Sequence, residues 1–158
     1  MKNKNLQKTQ TSDFVRLFEY VKAISQEIGE DKALKILENC VCEKRIKWID
    51  ENKDKLGKGS DVEIAFKIFL FDYLKISPKD IEIVEKDSKK ITYRSYNFCP
   101  VLEACKILSL DTRVICKKVY EKPVQVFLSK INPKLKFRRN YEKIRPYSNF
   151  CEEMIEIL

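Results

Sequence analysis

Histidine is absent from all 158 residues, which removes imidazole as general base, as partner of a nucleophile and as metal ligand. Any chemistry here rests on sulfur, carboxylate, lysine or tyrosine. Glycine occurs only three times, while 44% of residues are hydrophobic and 35% charged. That is the composition of a globular, helix-rich chain rather than a disordered one. No run of 18 uncharged apolar residues occurs, so no membrane partner is expected. The opening Met1 to Thr11 is polar and basic, without the apolar core of a secretory signal, and the expected location is the cytoplasm.

Charge of one sign is not concentrated either. The 32 basic residues are interleaved with 24 acidic ones. Only two stretches are basic without relief: the start, with Lys2, Lys4 and Lys8, and the run Lys130, Lys134, Lys136, Arg138, Arg139. They read as a solvated tail and a solvated strand face. With no recognised motif and no aromatic-studded basic strand pair, the pattern argues against a nucleic-acid partner. The six cysteines are scattered through a chain with adequate core-forming residues, so reduced thiols are expected rather than disulfides.

Periodicity gives the organisation. Ser12 is positioned as the N-cap of a helix over 13–28, with Phe14, Leu17, Phe18, Val21, Ile24 and Ile28 on one stripe and Gly29 as its stop. A second helix carries Ala33, Leu34, Leu37, Val41 and Trp48 and ends near Leu56. Ser60 and Glu63 form a capping box opening a third, strongly apolar helix that ends at Ser77-Pro78. That helix is apolar on more than one side, so it is either centrally buried, the commoner outcome, or the contact of a homodimer. Ile81 to Glu85 and Lys90 to Tyr96 form a hairpin. A helix from Cys99 to about Leu108 follows, then one capped by Asp111 that Pro123 must restart or kink. Asn132-Pro133 turns into a strand with Leu135 and Phe137, and Cys151 to Leu158 is the closing strand.

The expected fold is therefore α+β: three N-terminal helices, then a four-stranded antiparallel sheet with two helices between its second and third strands (β-β-α-α-β-β). Residues 1–11 are expected as a basic flexible tail. Residues 12–158 form one domain, helical over 12–77 and sheet-bearing, with a cysteine site, over 78–158.

Cys99-Pro100 is the most informative local feature. A thiol at the N-cap of a helix whose first residue is proline meets free N–H groups and the positive end of the dipole, which favour thiolate. Cys40 and Cys42, two apart on a helix, point to nearly opposite sides and do not grip one metal. Cys105 shares the stripe of Val101 and Leu108 and reads as core. Cys99, Cys116 and Cys151 remain, each near the end of an element, where distant side chains converge.

Over its last 60 or so residues the chain resembles the L-2-amino-thiazoline-4-carboxylic acid hydrolase family, through Cys99-Pro100, Cys116, Asn132-Pro133 with Leu135 and Phe137, and Cys151. It departs from the pattern at Tyr147-Ser148, where Gly-Asp is usual. The resemblance implies hydrolysis of a small cyclic amidine carboxylate, with Cys99, Cys116 and Cys151 as the catalytic cysteines and Cys99 attacking the amidine carbon. Arg138 or Arg139 would bind the substrate carboxylate, with Tyr96 and Tyr147 beside the substrate. The general acid would be Glu103, Tyr96, Tyr147 or a lysine. No cofactor is implied. The family is also similar to vinyl-reductase-type small-molecule-binding domains. That likeness implies the alternative, a sensor in which Cys99, Cys116 and Cys151 hold zinc, or an iron–sulfur cluster, with a carboxylate such as Glu121 or Glu152, or a ligand molecule, as the fourth ligand.

Overall fold

The computed structural model describes residues 2–158. Gly29 lies at φ 87°, where a side chain is strained, and there helix α1 (Lys2–Ile28) turns into α2 (Glu30–Glu51). Helix α1 starts earlier than expected, and Ser12 lies inside it rather than capping it. The reason is local: residues 2–11 contain neither glycine nor proline. Thr9 satisfies its hydroxyl by donating to the Asn5 carbonyl at 3.0 Å, four residues back. Gln7, Thr11 and Ser12 line a groove against Phe98 and Ile107, so this turn lies beside the rest of the domain instead of forming a separate tail.

Ser60 opens α3 (Asp61–Lys67) with the expected reciprocal capping box. The α-helix does not persist to Tyr73, because Ile68–Tyr73 is π-helical, with the Leu74 N–H donating to the Phe69 carbonyl at 3.0 Å. Phe66, Ile68, Phe69 and Leu70 are all buried, so this helix takes the central position.

Strands β1 (Ile81–Lys86) and β2 (Lys90–Ser95) form the hairpin. Its turn is held by Asp87, whose carboxylate accepts from the N–H groups of Lys89 and Lys90 at 2.7 and 2.9 Å. Helix α4 (Pro100–Leu108) follows, with Cys99 as its extended N-cap. Asp111 accepts from the Arg113 N–H and caps α5 (Thr112–Ile115). The chain then widens into a second π-helical stretch, Cys116–Glu121, before α6 (Lys122–Ser129). Pro123 explains the widening, since it offers no N–H to the Val119 carbonyl and its ring presses on it. Strands β3 (Leu135–Arg139) and β4 (Cys151–Ile157) complete an antiparallel sheet of order β1-β2-β4-β3. The α+β order of elements is the one the sequence predicts.

One sheet face is buried. Ile91, Tyr93, Leu135, Phe137 and Ile155 pack with Phe66, Phe69, Phe127 and Ile49 from the helices. A second cluster joins Phe18, Leu34 and Leu37 to Ala104, Cys105, Ile115 and Val119. Edge strand β3 is covered by α6, where Gln125 donates to the Leu135 carbonyl at 2.8 Å and accepts from the Phe137 N–H at 2.9 Å. Among the described residues, no helix is long and apolar enough to cross a membrane.

Candidate functional site

Because side chains alternate along a strand, the buried face of β4 carries Cys151, Glu153, Ile155 and Ile157, running from polar to apolar. Its partners in register continue the gradient: Ser95 lies opposite Cys151, and Tyr93 and Arg139 flank Glu153. One end of the inner sheet face is thus polar. There Glu153 accepts from the Tyr93 hydroxyl at 2.8 Å through one oxygen and from Arg139 Nε at 2.7 Å through the other. Tyr93 is fully buried, and Arg139 and Glu153 expose only 11% and 10% of their side chains.

The helices close over this end. Arg45, on the buried stripe of α2, is 7% exposed and sits 5.4 and 5.7 Å from the rings of Phe69 and Tyr73. The second π-helical stretch supplies Cys116 and Tyr120, and the N-terminus of α4 supplies Cys99. Both π-helical stretches therefore feed the same place, one through Tyr73 and the other through Cys116 and Tyr120. Tyr93 belongs to the first hydrophobic cluster, and Tyr120 packs against the second. The polar residues occupy the seam between the two.

Cys99, Cys116 and Cys151 come near enough for the ionisation of Cys116 to feel both other sulfurs. Cys151 accepts a hydrogen bond from Arg145 Nε at 3.5 Å, and the same guanidinium donates to the Asn97 carbonyl at 2.6 Å. The contributions expected to favour thiolate at Cys99 are present, from the N–H groups of Leu102 and Val101 and from Arg145. Burial outweighs them, and the Cys99 thiol is pushed up from its ordinary value. Although the residue is half-buried by surface area, its sulfur lies deep. Burial likewise pushes Cys116 up to about 12, against the pull of Arg139. Both thiols are neutral at pH 7, which corrects the expectation of an easily ionised Cys99.

Other expected residues lie elsewhere. Arg138, one position from Arg139, points to the opposite sheet face and pairs with Glu156 at 2.6 Å in solvent. Tyr96 is exposed and donates to Glu82 at 2.6 Å. Tyr147 is exposed beneath the Arg113 guanidinium, 4.0 Å from it. Glu103 pairs with Lys106 on the surface. Glu152 faces the outer side with Arg94 and Lys143, away from the sulfurs, and Glu121 accepts from Tyr141. Cys105 is core, as expected, and Cys40 is exposed. Among the described residues, no group of three or more cysteine, aspartate or glutamate side chains is disposed to hold a metal ion.

Tyr93, Glu153, Arg45 and Tyr120 were not among the expected residues. The signal for Glu153 was its spacing of two from Cys151 and Ile155. The signal for Arg45 was its place on the stripe of Val41 and Trp48. No protein-family model matches the chain, and none of the curated proteins does.

Proposed function

We propose that the chain hydrolyses a small cyclic amidine carboxylate by chemistry at Cys99, the reaction class its C-terminal part resembles. The observation that supports this reading is Cys99 at the head of α4, facing Arg145 and two further sulfurs in an enclosed polar seam. With no histidine to act as base, the neutral thiol adds across the ring C=N bond, sulfur to carbon and proton to ring nitrogen. The ring C–S bond then breaks, and the departing sulfur takes a proton from the exocyclic amine. Water adds to the carbon of the resulting Cys99 adduct, the C–S bond to Cys99 breaks, and N-carbamoyl-cysteine leaves with the thiol restored. Tyr120 lies within electrostatic reach of Cys99, and burial pushes its hydroxyl up, so it is neutral beside this chemistry.

The test is incubation with L-2-amino-thiazoline-4-carboxylate, following N-carbamoyl-cysteine by mass spectrometry. Product is expected with the natural chain and with Cys40→Ser, and not with Cys99→Ser. Equal product from Cys99→Ser, or none from the natural chain, overturns the reading. Burial of the Cys99 and Cys116 thiols favours a second reading, a sensor that binds the same ligand without turnover. Saturable binding without product is its signature. Stoichiometric zinc lost in Cys116→Ser would replace both by a zinc-holding module.

A further inference from the structure

Among the described residues the seam brings together three guanidinium groups, those of Arg45, Arg139 and Arg145, and one buried carboxylate, that of Glu153. Glu153 is fully committed, one oxygen to Tyr93 and the other to Arg139. Among the described residues Arg45 has no acidic partner: Glu38, the buried acid on its own helix face, lies two turns away and pairs with Lys35. Arg45 Nε and Nη1, Arg139 Nη1 and the Tyr120 hydroxyl are buried without a hydrogen-bond partner among the described residues. Arg45 is close enough to both Arg139 and Tyr120 for its charge to be affected by each. The Tyr73 hydroxyl is in hydrogen-bond reach of the Arg45 guanidinium, and the rings of Phe69 and Tyr73 attract its charge, but none of these carries the negative charge or meets the donors at Nε and Nη1.

A buried cation with unmet donors is costly, and a missing hydrogen bond to a buried group costs more than an ordinary one gains. Proteins resolve that by pairing the charge. Cys116 does not serve, since burial keeps its thiol protonated. A small anion does, because it supplies one negative charge and acceptors for several donors at once, the chemistry for which arginine is suited.

We propose that Arg45, Tyr120 and Arg139 Nη1 form a seat for a single small carboxylate, enclosed between α2, the second π-helical stretch and the end of β3. The seat deepens the hydrolase reading by assigning the residues that take the substrate's carboxylate, and in that respect rests on it. Arg139 alone of the two neighbouring arginines takes part. Arg45 and Tyr120 anchor the anion from the helical side, while Cys99 lies across the seam for the ring.

The test is ligand binding by calorimetry and thermal melting, with three probes: acetate, L-2-amino-thiazoline-4-carboxylate, and the uncharged amide of the latter. Wild type is expected to bind the thiazoline carboxylate saturably, at least tenfold more tightly than its amide. Arg45→Met should weaken that binding at least tenfold without lowering the melting temperature of the ligand-free chain, because an uncompensated charge has gone. Tyr120→Phe, which keeps the packing, should weaken it by a few-fold and serves where Arg45→Met does not fold. Unchanged affinity in both variants, equal affinity for the amide, or no saturable binding of either carboxylate overturns the seat. If acetate alone binds as well as the thiazoline carboxylate, the seat stands as one for free carboxylates. Binding lost in Arg45→Met with no product from wild type keeps the seat and removes the hydrolase. Product formation with KM unchanged in both Arg45→Met and Tyr120→Phe removes the seat and keeps the hydrolase.

Discussion

Arg138 and Arg139 offer a comparison within two adjacent residues. Each pairs with a glutamate of β4 at 2.6 Å, yet the Arg138 side chain is 64% exposed and that of Arg139 11%. Water screens the first pair, and such pairs contribute about 0–1 kcal/mol. The second has been taken out of water, so removing one partner leaves a buried charge, at a cost of about 3–5 kcal/mol. Glu153→Gln keeps the shape and leaves the Tyr93 hydroxyl an acceptor, but it strands Arg139 beside the already unpaired Arg45. We therefore expect Glu153→Gln to cost about 3–5 kcal/mol and Glu156→Gln less than about 1 kcal/mol. Against a total stability of about 5–15 kcal/mol for an ordinary domain, the first variant loses much of its margin and the second almost none. Urea unfolding followed by far-UV circular dichroism, with Trp48 fluorescence as second probe, measures both. The double variant Glu153→Gln/Arg139→Met should recover part of the loss, since it removes the stranded charge. A Glu153→Gln cost below about 1 kcal/mol, equal to that of Glu156→Gln, refutes the claim that this end of the sheet is sealed from water.

The alkaline limb of stability should report the buried thiols. Cys116 and Cys105 each sit at about 12 in the folded chain against about 8.5 unfolded. From the unfolded value upward the unfolded chain binds fewer protons, so stability is present below that pH and falls as pH rises toward 12. Urea midpoints between pH 8 and 11 should fall less steeply in Cys116→Ala, and parallel slopes would count against it. Native-state alkylation at pH 8, mapped by mass spectrometry, should modify exposed Cys40 first and buried Cys105 last; early loss of Cys105 contradicts the packing. Ser60→Ala should cost about 1 kcal/mol through loss of the α3 cap, read from the urea midpoint, and a neutral result would mean the capping box is not formed in solution.

What could be read from the chain, and what could not, divides along the range of the interactions involved. Caps and breakers act within four residues, so Gly29, Ser60-Glu63, Asp111 and Cys99-Pro100 each marked a boundary that the structure has. The first turns of α1 differ from the expectation because Ser12 has the chemistry of a cap wherever it stands, and the ten residues before it contain no glycine or proline to stop the helix there. The polar seam depends on pairings over long separations: Tyr93 and Glu153 are 60 residues apart. Its members could still have been located by period, because Leu135, Phe137 and Arg139 alternate, as do Glu153 and Ile155. A run of basic residues at 134–139 is a solvated face for Lys136 and Arg138 and an interior one for Arg139, and composition averages over that distinction. Arg45 is the sharper case. On a helix stripe a long cation usually extends its charge to water, but here α2 is covered by α6 on that side and by the π-helical stretch carrying Tyr120, so its head group stays inside. The stretch widened ahead of Pro123 carries Tyr120, which lies within electrostatic reach of both Arg45 and Cys116. A proline read only as a helix breaker is therefore also part of what assembles an interior shared by charge, thiols and unmet donors.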